Sequence, residues 1–313
     1  MTRDQILQIV ATLAVACCTL AMPPALAGSE AKPAECGAVP AGMACVPGGV
    51  FSIGWDDQLH PDCNQHSFQK RNRSNTLGMH KVTLSTYFMD ITEVTNAAYR
   101  QCIREGKCPK AGPNYRDFKR PNQPVTGVSW HDASAFCRAR GKSLPTEAQW
   151  EAAARGPQGE LYPWGNAAAD CKNSVIRDAK LGRSCGVKKA WGSPSKGRVL
   201  EVASRPPGRY GLYDMIGNAE EWTADWYTDD WKRCGDACQG TDPKGPCNGA
   251  SQCKGVRYRS VRGGSWYWPA DHATAVHRRP HRASNKPFHH FGFRCAASVD
   301  EARRLTSVES KRK

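Results

Sequence analysis

Apolar positions fall into short, separated runs rather than long periodic stretches. Met43 to Gly54, MACVPGGVFSIG, alternates around a Gly-Gly break, which predicts a strand or a hairpin. Val82 to Met89, VTLSTYFM, is rich in β-branched and aromatic residues and predicts a strand. Two amphipathic patterns follow. The first opens near Thr92-Glu93 and carries Val94, Ala97, Ala98, Gln101 and Cys102. The second runs from His131 to Arg140, sets Ala133, Phe136 and Cys137 on one face, and stops at Gly141. Thr146-Glu147-Ala148-Gln149 is a capping box that opens a third helix, ended at Arg155 by Gly156.

Past Gly156 the regular pattern thins. Tyr162 to Asn166 reads as a turn, and the passage to Pro207 is Gly-, Pro- and Lys-rich loop. Val261 to Tyr267, VRGGSWY, predicts a strand with a Gly-Gly bulge. Phe291 to Ala297 predicts the last strand, and residues 299–313 a charged, frayed tail. Residues 28–42 read as a linker and 55–79 as a polar loop; there is no internal repeat.

The start of the chain has a different character. An apolar run from Ile6 to Met22 ends in Ala25-Leu26-Ala27, the form of a cleavable signal peptide over residues 1–27. The run is short for a membrane span, and no second span follows. A lipoprotein site at Cys17 is the lesser alternative. The expected location is therefore periplasmic or secreted. Cysteine usage agrees: of 15 Cys, Cys17 and Cys18 lie in the leader, leaving 13, a density suited to an oxidising compartment. The close pairs Cys36/Cys45, Cys102/Cys108 and Cys171/Cys185 read as loop staples. Cys234, Cys238, Cys247 and Cys253 share one loop and form either two bridges or a zinc knuckle, though no His stands at ligand spacing among them. An odd number leaves one thiol over, with Cys63 the candidate.

The 313 residues carry a formal charge of +15. The charge is spread along the chain, apart from His277 to Arg282 and a Lys/Arg tail. In an exported protein this excludes nucleic acid as the expected partner and leaves anionic glycans, a membrane surface or simply a soluble basic exterior.

The densest chemistry lies in Tyr210 to Trp226, YGLYDMIGNAEEWTADW. Asp214 and Glu221 bracket a Gly-containing turn, so carboxylate and carbonyl oxygens are available to Ca²⁺. The plainer reading is a Trp-anchored surface loop. Trp222, Trp226 and Trp231 recur about every four residues, as core and rim packing does. His131-Asp132 at a helix start reads as capping.

Taken in order, GGVFSIG, ITEVTNAAYRQC, PVTGVSWHDASAFCRARGKSLPTEAQWEAAARG, YPWGN, the 210–226 segment, VRGGSWY and FGFRCAA resemble the formylglycine-generating enzyme (sulfatase-modifying factor) family over residues 43–298. The resemblance implies an α+β, divergent C-type-lectin-like fold with little regular secondary structure, stapled by disulfides. It implies a structural Ca²⁺ on the side chains of Asp214 and Glu221 and the carbonyls of Gly217 and Ala219. A second Ca²⁺ site begins at Asn173 and Ser174 but lacks its later acid near Gly186-Val187. The resemblance also implies a disulfide from Cys137 to Cys295. The family's oxidases hold Cu(I) on two thiolates that follow the Gly-Gly-Ser motif, here Gly263 to Ser265. Those two positions are Trp268 and Ala273, and no Cys lies between Cys253 and Cys295.

What replaces the thiols is a segment dense in Trp, His and Arg. Asp271, His272, His277 and His281 have the donor chemistry of a Cu(II), Zn or Fe(II) site, with Ser265 beside them. The alternatives are a basic rim around Arg278, Arg279 and Arg282, or a binding floor of Trp266, Tyr267, Trp268 and Arg279. Two functions follow. One is a non-catalytic module that binds an exported protein, peptide, glycan or small metabolite. The other is an O₂-dependent oxidoreductase acting on an exported protein or on a metabolite such as a siderophore precursor, with its redox metal unassigned.

Overall fold

The computed structural model describes residues 36–55, 78–113, 115–187, 197–284 and 289–310. The expectations for the leader, for Cys63 and for most of the 55–79 loop lie outside these residues.

The strands form three small sheets. β1 (Met43–Val46) and β10 (Ala296–Ser298) flank β4 (Tyr87–Asp90), both antiparallel to it. β2 (Gly49–Ile53) pairs with β3 (His80–Leu84), and the two-residue β6 (Gly240–Thr241) adds in parallel to β3. The third sheet has the order β8 (Arg278–Arg282), β7 (Tyr258–Arg262), β5 (Glu220–Trp226), β9 (Phe291–Gly292). Two expected single elements are therefore split. The 43–54 run is two strands in different sheets, and the 82–89 run breaks at Ser85-Thr86. There Asp242 accepts the Ser85 N–H at 2.8 Å and Thr86 accepts the Gly48 N–H at 2.9 Å, so side chains replace the ladder. β7 stops at Arg262, because Gly263 and Gly264 take positive φ of 92° and 69° and turn the chain out of the sheet. The last expected strand is likewise broken into β9 and β10.

Helix ends follow local chemistry. α1 (Asn96–Arg104) is capped by Thr95 and not by Thr92, so Glu93 and Val94 precede it. α2 (Trp130–Ala139) starts at a capping box of Ser129 and Asp132, and α3 (Glu147–Arg155) at the box of Thr146 and Gln149. A single turn, α4, spans Trp231–Cys234. The tail is not frayed: Val299–Ser310 is a helix, α5. Ser298 accepts the Glu301 N–H and Glu301 accepts the Ser298 N–H, a capping box, while Ala302 packs on Met43, Phe88 and Ala297.

Six disulfides staple these pieces: Cys36–Cys45, Cys102–Cys108, Cys137–Cys295, Cys171–Cys185, Cys234–Cys238 and Cys247–Cys253. The four sulfurs of the 234–253 loop thus make bridges and not a zinc site. Such a set belongs to an oxidising compartment. No helix among the described residues is long and apolar enough to cross a membrane.

Beneath the third sheet α3 inserts charge instead of oil. The Glu147 carboxylate accepts from Ser260 at 2.6 Å, Arg262 at 2.7 Å and Arg278 at 2.6 and 2.7 Å. Burial raises the Glu147 carboxyl, but Arg278 and Arg262 outweigh it and hold the group down at about 2. Arg155 donates to the carbonyls of Ser52, Gly54 and Gly159, which pins β2 to α3.

Candidate functional site

Consecutive strand residues point to opposite faces, so Glu220-Glu221 at the head of β5 sends one carboxylate to each side. Both are fully buried. They open two distinct sites.

On one side Glu221 accepts from Arg294 at 2.7, 2.8 and 3.0 Å and from the Trp150 indole at 2.8 Å. Glu93 and Asp214 are buried beside it. Glu93 accepts the Ala219 N–H at 3.2 Å, and Asp214 accepts the Ala203 N–H at 2.6 Å. Burial first, then the charges of Asp214 and Glu221, push Glu93 well above the usual carboxylate range. Burial raises Asp214 as well. Three buried carboxyls thus face one guanidinium, and Glu93 and Asp214 are both pushed toward their protonated forms. The connecting loop is wound tightly, with Asp214, Gly217 and Asn218 at φ 55°, 86° and 58°. A Cβ on Gly217 would stand 2.3 Å from the Ser174 hydroxyl and 2.8 Å from the Val175 carbonyl. Ser174 donates to the Ile216 carbonyl at 2.7 Å, and Asn173 accepts the Asp170 N–H at 2.9 Å. Both residues thus tie loops together.

On the other side Glu220 meets Arg279, whose Nη1 donates to both carboxylate oxygens at 2.9 and 2.8 Å. Burial raises the Glu220 carboxyl against the pull of Arg279. The Arg279 guanidinium lies 4.6 Å from the Trp268 ring, which stacks on His272 at 5.1 Å. His272 Nδ1 is 2.9 Å from Asp271 Oδ1, and its ring lies 5.4 Å from that of His277. Tyr267 stacks on His290 at 5.6 Å, and His290 Nε2 is 3.8 Å from Glu220. The fold therefore gathers Tyr267, Trp268, Asp271, His272, His277 and Arg279 around one buried acid. Burial, then the charges of His272, Arg279 and Arg262, keep His277 well below the ordinary histidine range, hence neutral.

Three expected members sit elsewhere. Trp266 is not a pocket floor. Its N–H bonds to Asn218 at 3.0 Å and its ring is buried against Phe118, Val175 and Ala219, because the Gly-Gly turn rotates it inward. Ser265 is fully buried, accepting the Tyr267 N–H at 3.4 Å. His281 packs on Phe291 at 4.3 Å, and burial with Arg279 holds it down at about 3. Among the described residues no group of three or more His, Cys, Asp or Glu is arranged to hold a metal ion. A cleft of about 550 Å³ opens away from the rim, between Tyr227, Tyr258 and Pro280.

The Gly-Gly turn joins the two sites. A Cβ on Gly263 would lie 2.9 Å from the Met215 carbonyl, and one on Gly264 2.7 Å from the His272 carbonyl. Sequence reasoning missed Glu93, Glu220 and Arg294. The paired acids of a strand start were the legible signal for Glu220; nothing local marked Glu93 or Arg294 as neighbours of Asp214.

The Sulfatase-modifying factor enzyme 1-like domain profile matches residues 29–299. The chain belongs to the sulfatase-modifying factor family. Formylglycine-generating enzyme of Bos taurus is 30% identical over 306 residues, covering 82% of this chain and 75% of its own length. Inactive C-alpha-formylglycine-generating enzyme 2 of Mus musculus is 29% identical, covering 82% of this chain and 86% of its own. PvdO from Pseudomonas aeruginosa superposes with a TM-score of 0.60 at 21% identity, covering 82% and 94% of the two chains. The fold is thus the sulfatase-modifying factor fold. Each of the twelve described cysteines of this family member is paired in a disulfide.

Proposed function

We propose that this chain is an exported member of the sulfatase-modifying factor family that binds rather than oxidises. In this reading the rim of Tyr267, Trp268, His272 and Arg279 takes a peptide, glycan or small metabolite. The carrying observation is the absence of a thiol pair. Trp268 and Ala273 stand where the family's oxidases hold Cu(I), and the disulfides leave only Cys63 outside them in the mature chain. Cu(I) needs soft sulfur ligands. A relative named inactive, 29% identical, supports the reading.

We assign structural Ca²⁺ to the acid cluster. The side chains of Asp214 and Glu221 and the carbonyls of Gly217 and Ala219 would hold it. The fit rests on three buried carboxyls that share a single guanidinium and on an all-oxygen donor set. Calcium there ties the β5 loop and supplies no redox chemistry.

The second reading is a metal-dependent oxidase with a rebuilt site. It draws on the 2.9 Å contact of Asp271 with His272 and on the nearby His277 ring. Elemental analysis of protein purified from an oxidising compartment without chelator separates the two. Calcium alone, near one per chain, is expected. Stoichiometric copper or iron that disappears in His272→Ala with His277→Ala overturns the binding reading. As a positive arm, Trp268→Cys with Ala273→Cys is expected to gain one Cu(I) per chain, which the parent lacks.

A further inference from the structure

Read along the chain, the +15 charge is dispersed; in the fold, much of it is gathered on one face. From Arg100 to Arg120 there are seven cations and two acids, and all seven cations are solvent-exposed. Three local features bring them together. Arg100 and Arg104 lie one turn apart on α1 and so share a helix side. The Cys102–Cys108 bridge folds Lys107 and Lys110 back beside that helix, where the Tyr99 hydroxyl donates to the Pro109 carbonyl at 3.2 Å. The 116–120 turn, with Arg116, Lys119 and Arg120, is bound along α1. Arg100 donates to the Lys119 carbonyl at 3.2 Å, and Asn96 donates to those of Phe118 and Arg120 at 2.8 and 3.0 Å.

Two acids do not balance the face. Glu105 lies 3.8 Å from Lys107 but also takes Arg140, from outside the face, at 2.7 Å, and Asp117 lies 3.8 Å from Arg198. Arg120 stands close enough to Arg198 to oppose its charge. Adding those two arginines gives nine cations against two acids. Like charges gathered on one face repel one another, and a polyanion laid across them relieves that repulsion.

We infer that this face is a docking surface for an anionic polysaccharide. Charge complementarity names a polyanion. Two observations choose the polysaccharide. Among the described residues the large exposed hydrophobic side chains (Val39, Val50, Met79, Leu181, Tyr258 and Val308) all belong to other segments, so the 100–120 segment offers none of them to a bilayer. The disulfides belong to an oxidising compartment, where nucleic acid is not the resident polymer. The face also borders the aromatic rim, since Tyr115 meets His289 at 5.5 Å and His289 meets Tyr267 at 6.0 Å. A chain laid over the cations therefore reaches the rim, yet its binding is independent of what the rim holds.

The test is binding of fluorescent heparin oligosaccharide to the full chain, titrated across salt. The first variant is Lys110→Glu with Lys119→Glu and Arg120→Glu. A control makes the same charge change elsewhere, with Lys254→Glu, Arg303→Glu and Arg304→Glu, all exposed. Expected are binding by the parent at about 0.15 M salt and weakening of about 10–100-fold in the first variant, with a shallower salt slope, as loss of counterion-releasing contacts requires. The control is expected to bind within about twofold of the parent. A neutral version, Lys110→Gln with Lys119→Gln and Arg120→Gln, is expected to fall between parent and reversal, with thermal unfolding confirming that each variant is folded. Equal loss in the control would reduce the effect to net charge and overturn the surface. So would a parent that does not bind at that salt. Tighter binding to phosphatidylserine vesicles than to the oligosaccharide, lost with the same three residues, would overturn the choice of partner.

Discussion

Arg294 closes on Glu221 through Nε and Nη2 at 2.7 to 3.0 Å, inside a hollow that also holds Glu93 and Asp214. One guanidinium is thus shared by three buried acids. Replacing it, as in Arg294→Met, leaves the carboxylates uncompensated and is expected to cost about 3–5 kcal/mol, read as a fall in urea midpoint.

The same hollow yields a metal test. Calcium at a hundredfold excess over its Kd is expected to raise unfolding stability by about 2.7 kcal/mol. Asp214→Asn should show little of that gain. A parent chain whose thermal unfolding is the same in chelator and in millimolar calcium would sink the calcium assignment.

Asp225 carries a pH dependence of its own. It is buried and accepts the Glu147 N–H at 2.7 Å; burial first, and the Glu147 charge second, push its carboxyl up to about 8. The unfolded value is about 3.9. The native state therefore keeps a proton that the unfolded chain has lost. Stability from this group is complete below about pH 4 and drains away as pH rises toward 8. Asp225→Asn keeps the shape without the proton. Its advantage over the parent in urea midpoint is expected to grow from pH 5 to pH 8; parallel curves would mean that Asp225 is ionised throughout. Glu147 acts oppositely. Held at about 2, its contribution is complete above about pH 4.5 and fades as pH falls toward 2.

The bridges differ in the loops they close. Cys137–Cys295 spans 158 residues and Cys234–Cys238 only 4. By loop-closure entropy the first is worth about 5 kcal/mol and the second about 2. Paired Cys→Ser variants should follow that order in guanidinium unfolding. An equal loss would place the energy in local packing instead.

Much was legible before any coordinates. Capping boxes and turn residues set the starts of α2 and α3, because those signals act within a few residues of the backbone they satisfy. Motif order carried the family, and with it Cys137–Cys295. The close cysteine pairs were readable because short loops leave few partners. The box at Ser298 and Glu301 was equally local, but the charge of the tail hid it.

What the chain alone could not decide was which distant residues share a hollow. Splitting the 43–54 and 82–89 runs between sheets depends on side-chain acceptors brought in by Asp242 and by the Gly48–Thr86 contact. Burial of Trp266 depends on a turn at Gly263-Gly264 that packs against Met215 and His272. The meeting of Glu93 with Asp214 joins residues 121 positions apart. Local sequence determines dihedrals and caps, since those energies are short-ranged. Charge clusters and pockets are set by long-range packing, and here only the tertiary fold put the acids, the aromatic rim and the basic face in place.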